Sequence, residues 1–95
     1  MYARITRYKL KPESMETARA MLPEMKERIM GLPGTLNFIN AANDDGSGYV
    51  IAVVESKEVS DANQEAVMAI WAVFGEHLEA APSPEGFDVI ANWQN

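Results

Sequence analysis

Apolar and polar positions follow two different periods along this chain. Residues 2–10 are rich in aromatic and β-branched side chains and contain no Gly or Pro, so they read as a first strand. Lys11-Pro12-Glu13 is a turn, and Ser14 is placed to cap a helix. Met15, Ala18, Leu22, Met25 and Ile29 then recur every three or four residues, one apolar stripe on an amphipathic helix. Pro23 falls inside it; the stripe stays in phase across the proline, so one helix is expected. Gly31-Leu32-Pro33-Gly34 stops it. Residues 35–42 form a second strand, 43–48 a hairpin loop, and 49–55 a third strand, the most apolar of the set. Ser56 or Ser60 caps a second helix expected to run to about residue 80. Residues 81–86, with Pro82, Pro84 and Gly86, end it, and 87–93 read as a fourth strand.

The order β-α-β-β-α-β predicts a single α+β domain over 1–95 with a ferredoxin-like arrangement. Both helices then cover one face of a four-stranded antiparallel sheet. The other face is not polar enough to meet water. Strand three carries Tyr49, Ile51 and Val53 on one side and Val50, Ala52 and Val54 on the other; strand two carries Leu36 and Phe38 against Ile39 and Ala41. A second copy of the sheet is the simplest cover and predicts a homodimer. The competing arrangement is a strongly twisted sheet shielded by its own loops. Residues 66–74 are apolar all the way round, so the second helix is expected to be buried on more than one side.

Composition narrows the chemistry. No cysteine and a single histidine, His77, exclude disulfides, thiolate sites and multi-histidine zinc within one chain. Neither a Gly-rich dinucleotide fingerprint nor a phosphate loop is present; Gly46-Ser47-Gly48 lacks the following Lys and precedes a strand. Asp44-Asp45 reads as a solvated turn and not a cation site. The expectation is therefore no metal and no cofactor. A net charge of −6 argues against nucleic acid as a partner. No segment approaches a membrane span and the start lacks the apolar core of a secretory signal, so no membrane partner and a cytoplasmic location are expected.

Residues 2–8 followed by Lys11-Pro12, Leu32-Pro33-Gly34 ahead of strand two, and Val53-Val54-Glu55-Ser56 leading into helix two together resemble the antibiotic-biosynthesis-monooxygenase (ABM) superfamily of dimeric α/β barrels. The resemblance spans nearly the whole chain. It implies a subunit whose sheet joins its mate's sheet in a barrel, with a pocket between sheet and helices in each subunit. Family activities include cofactor-free oxygenation of quinol-like molecules and haem degradation. Thr6 stands where the haem-degrading branch has Asn, and Trp71 and His77 are closer together than in that branch, so haem degradation is disfavoured.

The candidate chemistry follows from these elements. His77 lies three residues after Phe74 and seven after Ile70, so it shares their helix face. It reads either as a general base facing a pocket or as a histidine favoured by the helix C-terminus. Trp71 and Phe74 either wall an aromatic pocket or fill core and interface. Asn37, Asn40 and Asn92 are strand asparagines that become pocket candidates if buried and mean nothing on an exposed face. The resemblance puts Thr6 toward the pocket, and strand parity then brings Tyr8 with it. Trp93 is a candidate contact with a neighbouring subunit. With these residues at the pocket, the resemblance implies a cofactor-independent monooxygenase acting on a small aromatic, quinol-type molecule. A non-catalytic dimeric binding module with the same pocket, or a haem protein ligated by His77, are the other readings.

Overall fold

The first strand, β1 (Tyr2–Lys9), is the organising element, because it is hydrogen-bonded on both sides. The structure is a computed structural model that describes all residues 1–95. A 3₁₀ turn at Pro12–Ser14 leads into α1 (Met15–Met30). β2 (Thr35–Ala42) and β3 (Ser47–Val54) form a hairpin, α2 (Lys57–Ala62) and α3 (Gln64–Val73) follow, and β4 (Ser83–Asp88) closes the sheet. The strand order is β2-β3-β1-β4 with every pairing antiparallel. This is the expected α+β ferredoxin-like sheet.

The hairpin turns on Gly46, whose φ of 94° lies in the left-handed region. The Asp45 carboxylate accepts from the Ser47 amide at 2.9 Å and its hydroxyl at 2.6 Å. The first helix runs unbroken through Pro23. Ser14 does not cap it, because the 3₁₀ turn already carries helical geometry into Met15 and the Ser14 side chain makes no capping bond. Ser56 does cap α2, accepting from the Val59 amide at 3.2 Å.

Two expectations are corrected. The second helix is two helices, broken at Asn63, and it ends at Val73 instead of near residue 80. Asn63 is buried, and its amide donates to the Pro33 carbonyl at 2.9 Å, a bond that fixes the break against the loop before β2. The fourth strand is Ser83–Asp88 and not 87–93. Pro84 is compatible with it because β4 is an edge strand, where a missing N–H costs no ladder bond on the open side.

Register fixes two faces. Outward, the cross-strand rows are Phe87–Ala3–Val53–Asn37, Glu85–Ile5–Ile51–Ile39 and Ser83–Arg7–Tyr49–Ala41. Inward, they are Asp88–Tyr2–Val54–Thr35, Gly86–Arg4–Ala52–Phe38 and Pro84–Thr6–Val50–Asn40, then Tyr8–Gly48–Ala42. A bulge at Thr35/Asn37 sets the phase of β2, so Phe38 and Asn40 face inward while Asn37 and Ile39 face out. The core lies between the inward face and the helices, with Tyr8, Leu10, Ala18, Met25, Val50, Ile70 and Phe74 at its centre. The all-round apolar stretch of α3 is not buried all round: Met68 is 68% exposed, and Ala69, Ala72 and Val73 are also exposed. The sheet covers one side of α3, and this chain has no further layer to cover the other.

Candidate functional site

Between the inward sheet face and the helices lies a cavity of about 190 Å³ with a mainly apolar lining. Its floor is Arg4, Thr6 and Tyr8 of β1 with Leu10 just after it, Val50, Ala52 and Val54 of β3, and Thr35, Phe38, Asn40 and Ala42 of β2. Leu22 and Ile29 of α1 form one wall, and Val67, Ile70 and Trp71 of α3 with Phe74 form the other. The tilted Tyr8 and Trp71 rings stand 5.6 Å apart, which joins floor to wall through an aromatic pair.

The Tyr8 hydroxyl donates to Asn40 Oδ1 at 2.6 Å, the one side-chain hydrogen bond between cavity groups of β1 and β2. Tyr8 and Asn40 lie two strands apart, roughly 10 Å by strand spacing, and β3 runs between them. The phenol reaches across because the β3 residue beside it is Gly48. A Cβ at Gly48 would stand 2.6 Å from Tyr8 Cζ and Oη. Burial raises the Tyr8 pKa above its ordinary value, and the hydrogen bond to Asn40 opposes part of that rise. Tyr8 is thus a neutral phenol, a hydrogen-bond donor and not a phenolate base.

The opposite end of the cavity is polar for a different reason. Arg4 Nε donates to the buried Ser60 hydroxyl at 2.9 Å, and Nη2 donates to Asp61 at 3.4 Å. With its amide oxygen turned inward, as the surrounding donors require, Gln64 sets that oxygen 2.9 to 3.1 Å from all three guanidinium nitrogens.

Of the sequence candidates, the fold brings Thr6, Tyr8, Asn40, Trp71 and Phe74 together on one cavity. It does not bring Asn37, Asn92 or His77 there. Asn37 is turned out by the β2 bulge, and its Oδ1 accepts from the Phe38 amide at 3.0 Å. Asn92 lies beyond β4 in an exposed segment. The helical spacing that put His77 beside Phe74 stops at Val73, and His77 belongs to a separate 3₁₀ turn, Gly75–His77. That turn is pinned to the end of β1, with the Lys11 amide donating to the His77 carbonyl at 2.8 Å and Leu10 bridging Leu78. The imidazole is 15% exposed, and its Nε2 lies 3.5 Å from Glu76. Arg4, Arg19, Ser60 and Asn63 are cavity residues that the sequence reading passed over. Arg4 was within reach of it, since it shares strand parity with Thr6 and Tyr8.

No family model matches the sequence, and no curated protein matches it either. The fold does have solved counterparts. A protein of unknown function from Nitrosomonas europaea superposes with a TM-score of 0.82 at 16% identity, over 99% of this chain and 93% of that one. A candidate antibiotic biosynthesis monooxygenase from the same organism gives 0.76 at 13% identity, over 96% and 100%. Another, from Caulobacter crescentus, gives 0.78 at 16%, over 95% and 90%. The chain therefore has the fold of the antibiotic biosynthesis monooxygenase proteins, a four-stranded antiparallel ferredoxin-like sheet with its helices on one face.

Proposed function

We propose that this chain, as a homodimer, takes a small aromatic, quinol-type molecule into the cavity and oxidises it with dioxygen without a cofactor. The observation that carries the reading is the Tyr8–Asn40 pair, a polar couple 2.6 Å apart in an aromatic-walled and mainly apolar space. In this chemistry the quinol anion is the electron source. Its electron-rich ring carbon bonds to dioxygen and gives a hydroperoxide. The O–O bond then breaks with loss of water and leaves a carbonyl on that carbon. Quinol and dioxygen thus become hydroxyquinone and water. Tyr8, held protonated, turns its donor from Asn40 to the substrate oxygen and stabilises the developing charge there. The aromatic walls shield the anion on the Trp71 and Phe74 side.

The only titratable groups on the cavity lining are Arg4, Arg19 and Tyr8, and none of these residue types ordinarily titrates near neutrality. The substrate must then arrive already ionised. The absence of a neutral-range base also favours a second reading, a binding module with the same cavity and no turnover. An oxygen electrode with a monocyclic quinol, and mass spectrometry for one oxygen gained and two hydrogens lost, separates the two. Tyr8→Phe is expected to lower turnover by about a hundredfold, and His77→Ala, outside the cavity, to leave it unchanged. Binding of the quinol without oxygen uptake would leave only the binding module.

The dimer rests on the outward sheet face. Ile39, Tyr49 and Phe87 stand about half exposed there, around Ile5 and Ile51. Beyond β4, Ile90 and Trp93 have almost no cover within the chain. A contiguous apolar face of this kind is a protein interface, and a second copy presents the same face back to it. No helix is long and apolar enough to cross a membrane.

A further inference from the structure

We propose that the ligand carries one anionic group, a carboxylate, and that this group seats on Arg4 while a hydroxyl at the far side of the ring meets Tyr8. This rests on the reading of the cavity as the ligand site and names the class of molecule it selects. Three observations carry it. The chain holds 14 acidic residues against 8 Lys and Arg, yet the cavity lining contains Arg4 and Arg19 and no Asp or Glu. The lining thus has the opposite charge balance to the chain.

The second observation is how little neutralises Arg4. Its one carboxylate, Asp61, is 3.4 Å away and 54% exposed, and it is shared with Lys57 at 3.5 Å. One carboxylate stands between two cations, so the cluster keeps a net positive charge. The guanidinium has five N–H donors in a planar fork. Nε is used by Ser60. The Gln64 oxygen cannot lie in the plane of the fork, because an in-plane acceptor cannot reach all three nitrogens at 2.9 to 3.1 Å; it sits over the face. Asp61 takes one N–H of Nη2 at 3.4 Å, and the remaining terminal N–H groups are left without an in-plane acceptor. A carboxylate fits that fork in bidentate fashion, and apolar surroundings strengthen the pair.

The third observation is size and spacing. A cavity of ~150 Å³ accommodates benzene, and drug-sized ligands occupy about 300 Å³ or more. The 190 Å³ here suits one ring with short substituents. Arg4 and Tyr8 are on the same face of β1, with Thr6 between them. Their backbones are therefore about 13 Å apart. Both side chains reach into that interval, and a hydroxy-substituted aromatic acid would use both ends.

Isothermal titration of the full chain with 4-hydroxybenzoate and with its neutral isostere 4-hydroxybenzamide tests this. The acid is expected to bind at least tenfold more tightly than the amide. In Arg4→Gln that preference disappears while amide binding is retained; in Arg19→Gln it persists. Equal binding of acid and amide by the unmodified chain overturns the proposal, with no variant needed. So does a preference that survives Arg4→Gln or is lost in Arg19→Gln. If neither compound binds, the cavity reading itself falls, whereas failure of the oxygen-uptake experiment alone leaves this proposal standing.

Discussion

Gly48→Ala is the sharpest test of how the cavity is built. The added Cβ would stand 2.6 Å from Tyr8 Cζ and Oη and 2.7 Å from the Ala41 carbonyl oxygen. Ordinary contact is about 3.5–4.0 Å, so both neighbours must yield by roughly an ångström. The tyrosine can swing away, but only by leaving Asn40. The Ala41 carbonyl belongs to the β2–β3 hairpin and cannot retreat without disturbing that pairing. Overpacking of this kind costs about 1–3 kcal/mol, and the lower unfolded-state entropy of alanine returns ~0.4–1 kcal/mol. A net loss of about 1–2 kcal/mol lowers the Tm by roughly 4–16 °C for a domain of this size. Circular-dichroism melts of the original chain, Gly48→Ala, Tyr8→Leu and the double variant supply the assay. The Gly48→Ala loss should shrink by about 1 kcal/mol in the Tyr8→Leu background, because one of its two clashes is gone while the carbonyl clash persists. Strict additivity, or a Gly48→Ala protein as stable as the original, would refute the claim that the glycine exists to let the phenol cross β3.

Further expectations concern other parts of the molecule. Pro23→Ala should stabilise the protein by about 1–3 kcal/mol, because Pro23 denies the Arg19 carbonyl its helical N–H partner in α1; an unchanged or lower Tm on thermal melting counts against this. Tyr8, with its folded-state pKa raised by burial, holds its proton more tightly than the unfolded chain does. Its contribution to stability is therefore intact below about pH 10 and is lost as pH rises toward the folded value. Melts at rising alkaline pH should fall more steeply for the original chain than for Tyr8→Phe, and parallel curves would contradict the shift. Ile51→Lys, at the middle of the outward row with Ile5 and Ile39, should yield monomers by light scattering coupled to size exclusion; an intact dimer would move the interface elsewhere, and a monomeric original chain would remove it.

Periodicity made most of the fold legible. β1, α1 and the β2–β3 hairpin lie where alternation and the three-to-four spacing put them, because their burial follows from local pattern. The misses have tertiary causes. Residues 87–93 have the apolar character of a strand, but the pairing with β1 ends at Tyr2–Asp88, with one further bond from the Val89 amide to the Met1 carbonyl at 3.0 Å. Pro82, Pro84 and Gly86 read as loop because the edge position that tolerates them is not visible in sequence. His77 was assigned to the Phe74 face by extending a helix that stops at Val73, where the chain turns to pair Leu78 with Leu10. Asn37 and Asn40 differ by three positions and fall on opposite faces, as alternation requires, but the bulge decides which of them faces the cavity. Arg4 shares strand parity with Thr6 and Tyr8, so alternation alone places it on the cavity face.

The central position of β1 bears on how the chain is made. Its two neighbours in the sheet are β3 and β4, so its pairings close loops across almost the whole sequence, with Tyr2 meeting Asp88. Only the β2–β3 hairpin closes locally. During synthesis the first strand emerges first and must wait for the last. Until Asp88 has left the ribosome, β1 has one edge of open N–H and C=O groups beside an apolar outward face. Topologies of this kind fold slowly and are exposed to wrong pairing while they wait. A nascent chain stalled before β4 would present an edge that another copy's strand could occupy.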